Sequence, residues 1–91
     1  MVSVAVDTPF DVELGSAPGT GYMWELLPPP EGVRLLATRF EQKPAAQPGD
    51  GGTQVFTCQA HSPGRLELHF VLKRRWEQAS VQERVIEVDV R

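Results

Sequence analysis

Apolar side chains recur at every second position along most of this chain, and that spacing restricts the fold more than any other feature. Val2, Val4 and Val6 alternate with Ser3 and Ala5, and Phe10, Val12 and Leu14 alternate with Asp11 and Glu13. Further on, Leu66, Leu68, Phe70 and Leu72 alternate with Glu67, His69 and Val71, and Ile86, Val88 and Val90 alternate with Glu87 and Asp89. Successive side chains on a strand point to opposite faces, so each run presents one apolar face and reads as a half-buried strand. Tyr22 to Leu27 is a short apolar run stopped by Pro28-Pro29-Pro30, which cannot donate ladder hydrogen bonds. Val33 to Phe40 is a further strand whose Val33, Leu35, Leu36 and Phe40 alternate less cleanly, leaving room for one helical turn. Thr53 to Ala60 is rich in β-formers and Ser62-Pro63-Gly64 is a turn signal, so Thr53 to Leu72 reads as a hairpin.

About seven strands with turn signals every ~8–12 residues and no convincing helix predict an all-β chain, an immunoglobulin-like antiparallel β-sandwich. A parallel sheet would need crossover helices. Residues 1–91 read as a single domain, since no repeat, linker or low-complexity tract divides them. Eight prolines and eight glycines suit turns better than a long helical bundle. The apolar share of 41% with 23% charged belongs to a globule and not to a disordered chain. One cysteine, Cys58, cannot close a disulfide within the chain, so the core must hold the fold.

Charge narrows the partners. A net charge of -3 and a pI of about 5.3 disfavour a phosphate-binding surface, and the one basic cluster is Lys73-Arg74-Arg75. No nucleic-acid partner is expected. No stretch approaches the ~18 apolar residues needed to span a bilayer, so no membrane partner is expected either. The start, Met1-Val2-Ser3-Val4, has neither the basic nor the long apolar part of a signal peptide. Such a chain is cytoplasmic, or exported with its signal removed ahead of this sequence.

The catalytic inventory is thin. Cys58 lies mid-strand, where a small buried apolar residue is the plain reading. His69 falls on the polar parity of its strand and His61 sits at a turn, and their spacing suits no metal site. Gly49-Asp50-Gly51-Gly52 is followed by neither Lys-Ser nor Lys-Thr, so it is not a phosphate loop. Neither enzymatic activity nor a cofactor or metal is expected.

Three connections are larger than a minimal hairpin needs. The first runs Ser16-Ala17-Pro18-Gly19-Thr20-Gly21-Tyr22-Met23-Trp24, the second Gly49-Asp50-Gly51-Gly52-Thr53, the third Lys73-Arg74-Arg75-Trp76-Glu77. Alternate connections of a sandwich emerge at the same end, so the three are expected to share one tip. Trp24 reads as core. Trp76, between Arg75 and Glu77, stands in a charged loop, and tryptophan and arginine most often carry interface energy.

The order and spacing of these loops resemble the chagasin-type inhibitors of papain-like cysteine peptidases, which carry N-P-T-T-G-[YF]-x-W, then G-x-G-G, then R-P-W. This chain has Ala17-Pro18-Gly19-Thr20-Gly21-Tyr22-Met23-Trp24, then Gly49-Asp50-Gly51-Gly52, then Arg74-Arg75-Trp76, and the likeness runs from Phe10 to Val90. Three positions depart from the pattern. Ala17 replaces an asparagine that could brace the loop through its own backbone. Gly19 replaces a threonine and adds unfolded-state freedom at the apex. Arg75 replaces a proline, loosening the chain before Trp76 while adding a cation.

The resemblance implies occlusion without chemistry, by a monomer whose partner is a papain-like cysteine peptidase. The apex Pro18-Gly19-Thr20-Gly21, flanked by Ala17 and Tyr22, would enter the cleft over the catalytic cysteine. Gly49, Asp50, Gly51 and Gly52 would offer backbone hydrogen bonds along one wall, in the manner of strand addition. Trp76 would pack on the other side as an anchor, with Arg74 and Arg75 alongside. The competing expectation is a non-inhibitory immunoglobulin-like module of a cell-surface or envelope protein, whose loops bind another partner.

Overall fold

The computed structural model describes residues 2–16, 21–42 and 51–91. They form seven strands: β1 (Val2–Val4), β2 (Phe10–Ser16), β3 (Tyr22–Leu26), β4 (Val33–Gln42), β5 (Gly52–Ala60), β6 (Gly64–Arg74) and β7 (Gln82–Val90). One sheet has four strands in the order β1-β7-β6-β3, and the other has three in the order β2-β5-β4. No helix occurs among the described residues. The immunoglobulin-like sandwich expected from the alternation is therefore the fold.

The alternation sets which side chains face inward. Val12 and Leu14 of β2 and Phe56, Cys58 and Ala60 of β5 face Trp24, Leu68, Phe70, Val88 and Val90 across the interior. Leu68 and Phe70 are fully buried. Burying one such side chain contributes about 1.5–3 kcal/mol. The rings of Phe56 and Phe70 meet tilted at 59° with centroids 4.9 Å apart, joining the two sheets at mid-height.

Pairing differs from expectation in two places. Thr53 to Leu72 is not a hairpin. In β5, Ala60 pairs with Val33, whereas Gly64 at the start of β6 pairs with Val90 in the other sheet. Ser62-Pro63-Gly64 thus carries the chain from one sheet to the other. Both strands have one apolar face, and they bury more by facing each other across the core than by lying side by side. β1, in turn, departs from the antiparallel expectation: it runs parallel to β7, with Val2 opposite Val88 and Val4 opposite Val90. The turn between β1 and β2 holds Asp7 at φ 61°, its N–H donating to the Ala60 carbonyl at 2.8 Å.

The irregular run at Val33 to Phe40 is a strand with a bulge, not a helical turn. The register against β5 slips between Leu35 and Ala37, so Leu36 is the extra residue. Val33 and Leu35 lie opposite Ala60 and Cys58, and after the slip Thr38 and Phe40 take the same face opposite Phe56 and Gln54.

Candidate functional site

The strand ends nearest the three loops lie at one end of the sandwich. In the three-stranded sheet, Ser16, Gly52 and Gln42 share a rung. In the other sheet, Tyr22 lies opposite Arg74. Two rungs further in, the two sheets are tied together. The Gln54 side chain accepts from the Trp24 N–H at 2.7 Å and donates to the Trp24 carbonyl at 3.2 Å. The Trp24 indole N–H donates to the Gly15 carbonyl at 2.7 Å. Backbone groups on an edge strand such as β3 lack a neighbouring strand, and the Gln54 amide supplies the missing donor and acceptor. β2, β3 and β5 are thereby fixed to one another at the base of the tip, with Trp24 in the core as expected.

Beyond this clip, the inward-facing positions turn polar. β6 continues Phe70, Leu72, Arg74 on its inner face, opposite Leu26, Trp24 and Tyr22 of β3. The Arg74 guanidinium lies over the Tyr22 ring, 4.5 Å from its centroid, and 6.0 Å from the centroid of Trp76. Its Nη1 donates to the Glu77 carboxylate at 3.2 Å, while the Glu77 N–H donates to the Arg74 carbonyl at 3.0 Å. The Val81 N–H then donates to the Leu72 carbonyl at 2.8 Å, closing the β6–β7 loop onto its strand.

Trp76 is 72% exposed, the most of any large apolar side chain described, ahead of Val81 at 61%. Its ring edge rests on Gly21. A β-carbon there would lie 3.2 Å from the indole, so the ring would have to give by a few tenths of an ångström, and at φ +85° the backbone itself favours glycine. Arg75 is exposed, and no described residue pairs with its charge. Lys73, on the outer face, reaches Glu25 at 3.3 Å and is spent on that pair.

The structure thus gathers Gly21, Tyr22, Arg74 and Trp76 into one contact group, with Arg75 on its rim. Gly52 is buried within β5 between two neighbouring strands, leaving Gly51, half-buried, as the described residue of that loop beyond the ladder. The predicted contacts at Ala17, Pro18, Gly19, Thr20, Gly49 and Asp50 lie outside the described residues. Two residues of the tip were not among the predicted ones. Gln54 carried a signal, being a polar residue on the same inward parity as Phe56, Cys58 and Ala60. Glu77 carried none, because its role depends on where Arg74 points.

Nothing in the described residues builds a nucleophile. Cys58 is fully buried on the inner face of one sheet, and burial, with a smaller contribution from the Asp11 charge, pushes its thiol up to about 11. His69 is exposed on the outer face of the other sheet, so the two cannot meet. His61 lies 2.8 Å from the Asp7 carboxylate, beside the β1–β2 turn at the end remote from the tip. Among the described residues no cluster of histidine, cysteine or carboxylates could hold a metal ion.

Comparison with known proteins agrees with this architecture. The cysteine protease inhibitor EhICP2 from Entamoeba histolytica has a similar crystal structure, with a TM-score of 0.78 and 16% identity over 99% of this chain and 84% of that one. The solution structure of amebosin is also similar, with a TM-score of 0.71 and 21% identity over 99% of this chain and 87% of that one. No curated protein matches by sequence. At such identities the structures speak for the fold. The family model of the chagasin family peptidase inhibitors, however, matches residues 3–90, which is all but the ends of the sequence. This chain therefore belongs to the chagasin family, whose members are peptidase inhibitors and not enzymes.

Proposed function

We propose that this chain is a reversible inhibitor of papain-like cysteine peptidases, acting as a monomeric single domain that blocks the active-site cleft with the tip of its sandwich. The observation that carries the reading is the exposure of Trp76 on a braced tip, in a chain of this family. An indole that is 72% exposed, yet seated against Gly21, offers a large apolar surface at small ordering cost. The naming of EhICP2 as a cysteine protease inhibitor supports the peptidase class.

A papain-like cleft holds a thiolate–imidazolium pair between two walls and accepts extended peptides. The β2–β3 loop, with Gly21 and Tyr22 at its end, would enter between the walls, and its small residues permit close backbone approach. Gly51 and the preceding loop residues Gly49 and Asp50 would lie along one wall, above the ladder that Gly52 closes. Trp76 would pack on the other wall, with Arg75 free to meet an acidic rim. No bond is made or broken, so binding alone accounts for the inhibition.

The test is a titration of the purified domain against papain and a cathepsin L-like enzyme, following hydrolysis of a fluorogenic peptide. Tight, reversible inhibition with the domain left intact is the expected result. Absence of inhibition of both enzymes at micromolar concentration would refute the papain-like assignment and favour the non-inhibitory module.

A further inference from the structure

We propose that Arg74 is a positioning residue, holding the Trp76 indole against Gly21 before any peptidase arrives, and does not itself touch the peptidase. The inference rests on the inhibitory reading of the tip and assigns a division of labour within it. Sequence order places Arg74 and Trp76 two residues apart and suggests two contacts of one kind. Geometry separates them. Arg74 occupies the inner face of β6 in register with Tyr22, half-buried, whereas Trp76 stands outside the sandwich in the turn that follows.

Two interactions fix the guanidinium, and the Cγ of the same side chain packs near Gly21. One face lies over the Tyr22 ring at 4.5 Å, Nη1 is bound by Glu77 at 3.2 Å, and the side chain also lies 3.9 Å from where a Gly21 β-carbon would be. Its Nε is buried, and no described residue accepts a hydrogen bond from it. The side chain is 39% exposed, yet these contacts hold it in place, so it does not reach out as a free cation. What it presents instead is a charged flank 6.0 Å from the Trp76 ring centroid, favourable to the π-system of the indole. Among the described residues Trp76 has little else around it: the Gly21 backbone beneath one edge, with 72% of its surface exposed. Without Arg74 the indole would sample several rotamers, and binding would have to order it. Arginine suits the position better than lysine, because a planar fork can stack on one ring and engage a carboxylate in its own plane.

The test has two arms, one independent of any peptidase. In the free domain, the Gly21 α-protons next to the Trp76 ring are expected to show a ring-current shift in NMR spectra that Trp76→Ala removes. Arg74→Ala should remove most of that shift while core resonances near Phe70 stay in place. Glu77→Gln, which leaves the stack intact, should reduce it partly, and Arg74→Lys should restore a part. In the second arm, inhibition constants against papain are measured for Arg74→Ala, Trp76→Ala and the double variant. Arg74→Ala alone is expected to weaken inhibition by about 5- to 30-fold, and to change it less than twofold when Trp76 is already alanine. Equal losses in both backgrounds would show direct contact with the peptidase and overturn the proposal. So would a Gly21 shift that survives Arg74→Ala. If the unmodified domain fails to inhibit papain, the inhibitory reading is what fails, and the NMR arm still decides whether Arg74 positions Trp76.

Discussion

Gln54→Leu is the substitution whose effect follows most directly from the geometry. The side-chain amide accepts from the Trp24 N–H at 2.7 Å and donates to the Trp24 carbonyl at 3.2 Å, and Gln54 is only 7% exposed. Leucine is close in volume, so the change removes two hydrogen bonds without opening a cavity. Each buried polar group left without a partner costs about 1–3 kcal/mol. Trp24 lies on an edge strand that water can reach once the amide is gone, so the lower half of the summed range applies, about 2–4 kcal/mol. A domain of this length loses about 5 °C of melting temperature per kcal/mol, so a drop of about 10–20 °C is expected by calorimetry. Hydrogen exchange gives the residue-level check: the Trp24 amide should become far more exchangeable, while the Leu68 and Phe70 amides slow and quicken only with global stability. A melting temperature within about 3 °C of the unmodified protein, with Trp24 exchange unchanged, would refute the idea that this side chain closes the open edge of β3.

Trp76→Ala should weaken papain inhibition by about 1–3 kcal/mol while moving the melting temperature by no more than about 2 °C, since the indole is outside the core; a sharp loss of stability would contradict that placement. Gly21→Val should abolish inhibition at concentrations that saturate the unmodified domain, because a β-branched residue at φ +85° both strains the backbone and collides with the indole; unchanged inhibition would mean that this end of the loop does not enter the cleft. Cys58, buried and with its thiol pushed up to about 11, should resist alkylation by iodoacetamide in native buffer at pH 8 and react on addition of urea; ready labelling of the native protein would argue against its burial. Asp11 accepts from the Thr57 hydroxyl at 2.6 Å and from Arg39 at 3.2 Å, and these hydrogen bonds lower its carboxyl below the ordinary range. A carboxyl lowered in the folded state contributes stability above its unfolded pKa, and that contribution is lost as pH falls through the folded one. The urea midpoint should therefore fall on acidification below about pH 4, and Asp11→Asn should flatten that acid slope.

How much was legible in the sequence depended on what kind of fact was asked of it. Which side chains turn inward was readable, because alternation is a property of one strand: Leu68, Phe70, Val88 and Val90 were identifiable by parity and all are buried. Which strands lie side by side was not. Parity marks a face and carries no address, and β5 and β6 share the same parity whether they pair or oppose each other. Turn signals failed for the same reason, since Ser62-Pro63-Gly64 reverses the chain equally well within a sheet or between two. The broken alternation at Val33 to Phe40 contained its own explanation, because one extra residue at Leu36 restores the pattern on either side. At the tip, the glycines and Trp76 stood out by type. The stacking of Arg74 on Tyr22 did not, because it depends on the register between β3 and β6.

The route of the chain through the two sheets has a mechanical consequence for the tip. The β4–β5 connection joins two strands of the three-stranded sheet, and the β6–β7 connection joins two strands of the other. Of the three connections at the tip, only the β2–β3 one joins a strand of one sheet to a strand of the other. The strand ends that carry the outer two loops thus stand on opposite sheets like the jaws of a calliper, and the central connection joins β2 of one sheet to β3 of the other. The strand ends that carry them stand apart by the thickness of the sandwich, about 10 Å between facing sheets, which Phe56 against Phe70 and the Gln54–Trp24 clip hold. A change in either, well away from any surface loop, would alter the span of the jaws while leaving each loop's own sequence untouched. In the proposed mode of inhibition, selectivity among clefts of different width would then be tuned from inside the domain.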